Sequence, residues 1–284
     1  RIRNTARFLL SNLNGFDPVG DALAFEDMLS LDRWAVDRAA VVQQELAQCY
    51  DTYQFHQIYQ KLHNFCANDL GGFYLDVIKD RQYTTRADSL ARRSAQTAMY
   101  HIGEALVRWI APILSFTAEE VWENLPGERG ASVLLAQWYE DLPTLPAGEA
   151  MGREYWQQLM DVRTAVNKEM ETQRAAGALR GSLDARVNLY CSAELEGKLK
   201  ALGDELRFVL ITSAASLAPL DAAPEEAAMT DLPGLRLAVA VEDAEKCERC
   251  WHRRPEVGSI AAHPTLCERC VENIDGDGEQ RRFA

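Results

Sequence analysis

Over the first 175 residues apolar side chains return at intervals of three, four and seven, the period of helices that each bury one face. In 31–53 the stripe is Leu31, Ala35, Val42, Leu46, Cys49 and Tyr53; in the next segment it is Phe55, Ile58, Tyr59, Leu62, Phe65 and Cys66. Gly71-Gly72 is expected to break that second helix. A third long helix is predicted from Asp88, as N-cap, to Trp109, with Ala98, Ile102, Ala105 and Trp109 facing inward and Pro112 ending or kinking it. "TAEEVWENLPG" then spells a capping box, Thr117 with Glu120, and a stop at Pro126-Gly127. Helices joined by such short connections make an antiparallel bundle, here over 1–125.

The texture then changes twice. Residues 126–150 carry three prolines, three glycines and little periodicity, and read as a linker. A helix over about 152–175 follows and ends near Gly177. Beyond it "ARVNLY" and "LRLAVAVE" alternate apolar and polar residues as strands do, and "RFVLITSAASL" is a β-rich run. Between them "SAELEGKLKALGDEL" reads as a helix capped by Ser192, and "DAAPEEAAMTDLPG" as a solvated acidic loop. The expected architecture is mainly α: a bundle at 1–125, a linker at 126–150, a connecting helix with a small α/β unit at 151–242, and a four-cysteine finger at 243–284.

Composition narrows the class. With 284 residues, 47% hydrophobic and 26% charged, the chain is an ordinary globular one with room for about two domains. No apolar run reaches the ~18 residues of a membrane span, so no membrane partner is expected. Seven cysteines, an odd number in a chain this long, do not make a secreted disulfide framework, and a reducing cytoplasm is expected. Cys49, Cys66 and Cys191 lie singly in apolar stretches and read as buried small hydrophobes. The net charge of −13 argues against a nucleic-acid partner only weakly. Residues 111–242 hold 11 basic and 21 acidic side chains, whereas 1–110 hold 12 and 13 and 243–284 hold 7 and 9. Phosphates respond to the local field, which the two balanced ends leave open.

The remaining cysteines carry the strongest chemical signal. Cys247, Cys250, Cys267 and Cys270 form C-x2-C-x16-C-x2-C. Each two-residue spacing lets a tight turn aim two sulfurs at one point, and the longer spacing lets the chain return to complete a tetrahedron. Four thiolates select Zn2+, with an iron–sulfur cluster as the chemical rival, and four protein ligands leave no open position for a catalytic water. A module of about 40 residues with few large apolar side chains needs such a staple to fold. Four thiolates and Zn2+ sum to −2, and Lys246, Arg249, Arg253, Arg254 and Arg269 stand near enough in sequence to offset it. Some of these cations could instead face phosphates. Trp251 could pack as a miniature core or stack on a base, and His252 and His263 are spare ligands in a shell already full.

No nucleophile elbow, H-E-x-x-H helix, phosphate loop or G-x-G-x-x-G occurs, so the chain reads as a binding or structural part without an active site of its own.

Three stretches, "RIRNTARFLLSNLNGFDP", "NFCANDLGGFYLDVIKDRQYT" and "WIAPILSFTAEEVWENLPG", resemble the helical anticodon-binding domain of class I aminoacyl-tRNA synthetases for branched aliphatic amino acids. "KCERCWHRRPEVG…LCERCVENIDGDGEQRRFA" is similar to the zinc-binding extension of bacterial isoleucyl-tRNA synthetases. The resemblance covers essentially the whole chain, least over 178–242, and the zinc extension favours the isoleucine enzymes over the valine ones. It implies a fragment whose upstream part is missing, in keeping with a start at Arg1 inside an amphipathic run. ATP and Mg2+ would act only in that absent catalytic domain, and editing residues would lie there too. "YHIGE" at Tyr100–Glu104 half matches the H-I-G-H motif of that domain, but it lies on an apolar helical face with no strand before it and is rejected.

The implied partners are the anticodon stem-loop of tRNA-Ile and the upstream catalytic domain, in a monomeric cytoplasmic protein. Loop bases are read by stacking on aromatic and guanidinium faces. Arg249, Trp251, Arg253, Arg254, Arg281, Arg282 and Phe283 are the candidate contacts near the finger; Arg92 and Arg93, with Lys61 and Arg86, are those on the bundle. Two other classes compete. Formamidopyrimidine-DNA glycosylases carry the same type of finger, but this chain lacks their N-terminal proline nucleophile and β-sandwich. A free-standing zinc-ribbon scaffold is the third reading.

Overall fold

The computed structural model describes residues 1–284 and divides them into two compact units, Arg1–Gln82 with Ala87–Glu149 and Tyr83–Arg86 with Ala150–Ala284.

The first unit is built from α1 (Ile2–Asn12), α2 (Ser30–Asp51), α3 (Phe55–Asn64), the short α4 (Leu75–Val77) and α5 (Lys79–Thr84, whose last two residues belong to the second unit), α6 (Leu90–Ile110) and α7 (Ser115–Asn124). The inward residues of α6 are those the spacing indicates: Ala98, Ile102, Ala105 and Trp109 are all fully buried. Its cap is Ser89 and not Asp88; the Ser89 hydroxyl accepts the Arg92 N–H at 3.2 Å. The helix ends at Ile110, two residues before Pro112. Trp109 anchors the centre, packing edge to face on Phe65 at 5.7 Å and donating its indole N–H to Gln43 Oε1 at 2.8 Å.

The structure departs from expectation at three further places. Gly71-Gly72 does not break the helix: the chain runs on from α3 as a π-helix over Phe65–Tyr74. The wider turn brings carbonyls close, so that a Cβ on Gly71 would lie 3.0 Å from the Cys66 oxygen and one on Gly72 3.2 Å from that of Ala67. The glycines permit a close approach inside the helix and do not end it. Phe55 and Tyr59 face solvent and not the core; Ile58, Leu62, Phe65 and Cys66 are the buried side of that helix. Thr117 caps nothing, because α7 starts two residues earlier with Leu114 at the N-cap and no side-chain cap.

A buried polar knot fixes the bundle. Asp32, in the first turn of α2, accepts both terminal nitrogens of Arg81 at 2.7 and 2.5 Å, the Tyr74 hydroxyl at 2.7 Å and the Ser94 hydroxyl. Arg81 is 1% exposed and Asp32 is fully buried. Arg81 thus reaches the interior although it stands in the charged run Lys79-Asp80-Arg81. A second knot holds Glu104 between Arg108, at 2.5 Å, and Arg129. Burial pushes the Glu104 carboxyl up, but the two guanidinium groups outweigh it and leave its pKa below the usual value.

Residues 126–149 lack regular structure apart from one short turn at Val133–Leu135, yet they strap the bundle. The Tyr139 hydroxyl meets His101 Nδ1 at 2.7 Å, its carbonyl accepts the Gln43 amide at 2.7 Å, and the Leu145 N–H donates to Asp37 at 2.9 Å. Gly103, inside the "YHIGE" stretch, serves packing: a Cβ there would lie 3.0 Å from a Leu125 methyl.

The second unit opens with α8 (Arg153–Ala175), closed by Gly177 in the left-handed region at φ 75°. Then come β1 (Ala185–Cys191), α9 (Ala193–Lys200), α10 (Leu206–Leu210), β2 (Ala214–Pro219), β3 (Ala228–Met229) and β4 (Leu235–Val241). The sheet order is β2-β1-β4-β3, with β1 and β2 parallel and the other pairs antiparallel. Parallel pairing of β1 with β2 requires a crossover, which α9 and α10 supply. Accordingly, "RFVLITSAASL" is half helix: α10 takes its first part and Ile211, at φ 56°, turns the chain into β2. Ser192 holds the N-cap position of α9 without a capping hydrogen bond. The acidic loop has Asp221, Glu225, Glu226 and Asp231 exposed, buries Ala227 and contributes β3. No helix is long and apolar enough to cross a membrane.

Candidate metal centre

In the last part of the chain one eight-residue helix, α11 (Glu268–Asp275), is the single regular element of any length, and its N-cap residue is Cys267. Two tight turns bring the four sulfurs together. All four lie within 4.8 Å of one another and all four cysteines are buried. The Cys250 and Cys267 sulfurs are 3.7 Å apart, close to the ~3.8 Å edge of a tetrahedron with the 2.3 Å bonds of a zinc thiolate. The Cys267 N–H donates to the Cys247 sulfur at 3.4 Å, as in the outer shell of a thiolate site. Only Val257 and Leu266 pack on this sulfur cluster, so apolar burial contributes little.

The thiols alone make an unbalanced group. Hydrogen bonds from Cys267 and Cys270 drive Cys250 far towards the thiolate, and the same bonds push Cys267 up to about 12 and Cys270 higher still. Proximity lets one sulfur ionise at the expense of the others. A divalent cation at the centre is the group that would let all four carry charge, and a soft, closed, four-sulfur donor set fits Zn2+. Such an ion would cross-link the two turns and take no part in chemistry.

The surroundings sort the candidate side chains. Arg269 stands where its charge favours the Cys250 thiolate, and Arg254, paired with Glu256 at 2.9 Å, is close enough to sense Cys267. These two offset the sulfurs. Arg253 is held by Asp184 at 2.7 Å and by the Ala244 carbonyl at 3.1 Å. Arg281 is buried, paired with Glu279 at 2.8 Å and stacked 3.3 Å from the Phe208 ring centre; its guanidinium is turned inward. Arg249 is exposed, although one of its nitrogens donates to the Thr84 carbonyl at 3.0 Å. Arg282 is exposed and Phe283 half-buried; the Glu205 carboxylate accepts their backbone N–H groups at 2.8 and 2.9 Å. Among the bundle candidates, Arg92 is half-buried, Arg93 pairs with Asp21 at 3.1 Å and Lys61 with Glu45 at 2.6 Å. Arg86 belongs to the second unit and donates to the Gly276 carbonyl at 2.8 Å.

Trp251 is 60% exposed and does not form a miniature core. It follows Cys250 directly and closes the first sulfur turn, its N–H donating to the Cys247 carbonyl at 2.9 Å. Its backbone is left-handed at φ 66°, a conformation that costs a non-glycine residue roughly 1–2 kcal/mol. Lys246 lies over the ring at 5.4 Å. A large, strained, solvent-facing indole beside a cation has no packing explanation. His252 is buried against Phe208 and Arg207, and His263 pairs with Asp275; neither joins the sulfur cluster.

The family model for the anticodon-binding domain of tRNA ligases matches residues 32–189, more than half of the chain. The chain belongs to this family. A second model, for the zinc finger found in formamidopyrimidine-DNA glycosylases and isoleucyl-tRNA synthetases, matches residues 244–273 and contains all four clustered cysteines. The finger alone leaves both classes open; the anticodon-domain match beside it does not favour repair. Over all 284 residues the chain is 62% identical to an isoleucine–tRNA ligase of Pseudomonas paraeruginosa and 61% identical to those of Azotobacter vinelandii and Alcanivorax borkumensis. It spans 30% of the length of each of these relatives.

Two features around the sulfur cluster involve residues outside the expected sites. Phe208 is stacked by three guanidinium groups, Arg207 at 3.9 Å, Arg269 at 5.0 Å and Arg281 at 3.3 Å. Glu205 clamps the backbone of residues 282–284. Apart from the adjacent Arg207, the partners stand more than 50 positions apart in the chain, which leaves no local signal.

Proposed function

We propose that the chain is the part of an isoleucine–tRNA ligase that holds the anticodon stem-loop of tRNA-Ile. The observation that carries this reading is identity of about 60% across every residue to ligases of that specificity, with both the anticodon-domain and finger matches in their places. ATP-dependent charging, Mg2+ and editing belong to the part of the relatives that lies outside the matched stretch. The full protein acts as a cytoplasmic monomer. Zn2+ on Cys247, Cys250, Cys267 and Cys270 fixes the finger that presents Trp251. Of the candidate contacts, Trp251, Arg249 and Arg282 have exposed side chains, and the ring of Trp251 beside Lys246 has the form of a stacking platform for an unpaired base. Arg253, Arg254 and Arg281 shape that surface from within, and Arg92 and Arg93 meet phosphates from the bundle.

The test is a charging reaction. The isolated chain transfers no isoleucine to tRNA. Added in excess to a complete isoleucine–tRNA ligase, it slows charging by sequestering tRNA-Ile, and extra tRNA restores the rate. Aminoacylation by the chain itself, or absence of inhibition at any excess, would overturn the reading.

A further inference from the structure

The first unit carries an exposed apolar surface apart from the arginines named above as candidate contacts. At the turn from α2 to α3, Tyr53 and Phe55 meet edge to face at 5.9 Å, and Tyr50 contacts Phe55 at 6.3 Å and Trp138 at 5.9 Å. Tyr50 and Trp138, with Pro112 and Leu134, line a cavity of about 320 Å3. From Pro112 the surface continues along the chain to Ile113, Leu114 and Phe116, and α7 packs against the turn that carries Leu134 and Leu135. Phe116 is 94% and Leu135 80% exposed. Segments 50–59, 111–118 and 131–138 thus form one face, and soluble monomers seldom leave a face of this kind uncovered.

Its charge says what covers it. The three segments contain one carboxylate, Asp51, and no lysine or arginine. Arg108 reaches the cavity wall, but it pairs with Glu104 at 2.5 Å and stacks on Trp122 at 4.8 Å and Tyr139 at 5.3 Å. A face without free cations cannot neutralise phosphates, whereas charge depletion with aromatic enrichment marks the centre of protein interfaces. Position narrows the occupant. Arg3 pairs with Glu120 at 2.6 Å, which sets the first turn of α1 beside α7, the helix bearing Phe116. Any polypeptide preceding α1 emerges next to this face, and the relatives carry most of their length outside the matched stretch.

We infer that this face docks an uncharged apolar surface of the polypeptide that precedes α1 in the complete protein. The inference rests on the reading of the chain as part of a longer ligase. Hydroxyl-radical labelling read by mass spectrometry tests it on the complete gene product and on the 284-residue chain in parallel. Tyr53, Phe116 and Leu135 are expected to be labelled in the chain and to lose that labelling in the complete protein. The double variant Phe116→Asp, Leu135→Asp leaves the melting of the 284-residue chain unchanged, because both sites are exposed, and restores labelling of Tyr53 in the complete protein. Equal labelling of both forms overturns the inference. So does protection that appears only on adding tRNA, or a dimer of the 284-residue chain abolished by the double variant; these would assign the face to RNA or to a second copy. A complete protein that charges tRNA-Ile with the face still labelled refutes the docking alone. One that does not charge refutes the ligase reading, and its labelling still decides the docking.

Discussion

Removal of the metal separates the energetics of the finger from those of the rest of the chain. The sulfur cluster is packed by two partly buried apolar residues, Val257 and Leu266, which at ~1.5–3 kcal/mol for a fully buried side chain supply only a few kcal/mol between them. A segment with so little apolar burial around its turns depends on a cross-link to stay folded. A structural zinc linked to folding supplies about 10–16 kcal/mol, and it also removes the penalty of thiols that cannot all ionise. Hydrogen exchange of the zinc-loaded chain should show protection in α11 and in both sulfur turns. After chelation that protection should vanish from residues 243–284, while α2, α6 and strands β1 and β4 stay protected. Elemental analysis before chelation should find one zinc per chain. Unchanged exchange over α11 in the metal-free chain would refute the reasoning, since the fold there would then not depend on the four sulfurs.

Three further perturbations have definite signs. Asp32→Asn leaves Arg81 charged and buried without its carboxylate, and should destabilise the first unit by about 3–5 kcal/mol in urea melts, with a large part recovered by adding Arg81→Met. Trp251→Gly relieves the left-handed backbone and should keep zinc and raise the stability of the finger slightly, while weakening stem-loop binding; a loss of zinc instead would show that the indole holds the turn. Glu104 has a lowered pKa in the fold, so its stabilising effect is complete above the unfolded value of 4.5 and fades as pH falls through the folded one. The difference in melting temperature between the native chain and Glu104→Gln should therefore be largest near neutrality and shrink below that value.

What was legible in the sequence was whatever rests on short-range spacing. Helical stripes placed Ala98, Ile102, Ala105 and Trp109 in the core, and the two C-x-x-C pairs are the residues whose sulfurs the fold brings together. Local signals failed where tertiary contact decides. Gly71-Gly72 looks like a breaker but is a close approach inside a π-helix, and the proline-rich 126–149 segment looks like a linker but is pinned by Tyr139 and Leu145 to partners about 40 and 110 positions away. The same limit applied to the arginines. Arg249, Arg253, Arg254, Arg269 and Arg281 are equivalent by composition, and only the fold separates Arg249, which faces solvent, Arg253, which Asp184 holds, Arg254 and Arg269, which offset sulfur, and Arg281, which stacks on Phe208. For Trp251 the decisive facts, its exposure and its positive φ, have no signature in the letters around it.

The most direct measurement compares the affinity of the zinc-loaded chain for an isoleucine anticodon stem-loop with that for the same stem carrying a scrambled loop, across a salt series. Both should weaken as salt rises, through release of counterions from phosphates. The ratio between them should favour the isoleucine loop at every salt concentration and fall towards one on chelation. Equal affinity for the two loops in the presence of zinc would contradict anticodon recognition by this chain.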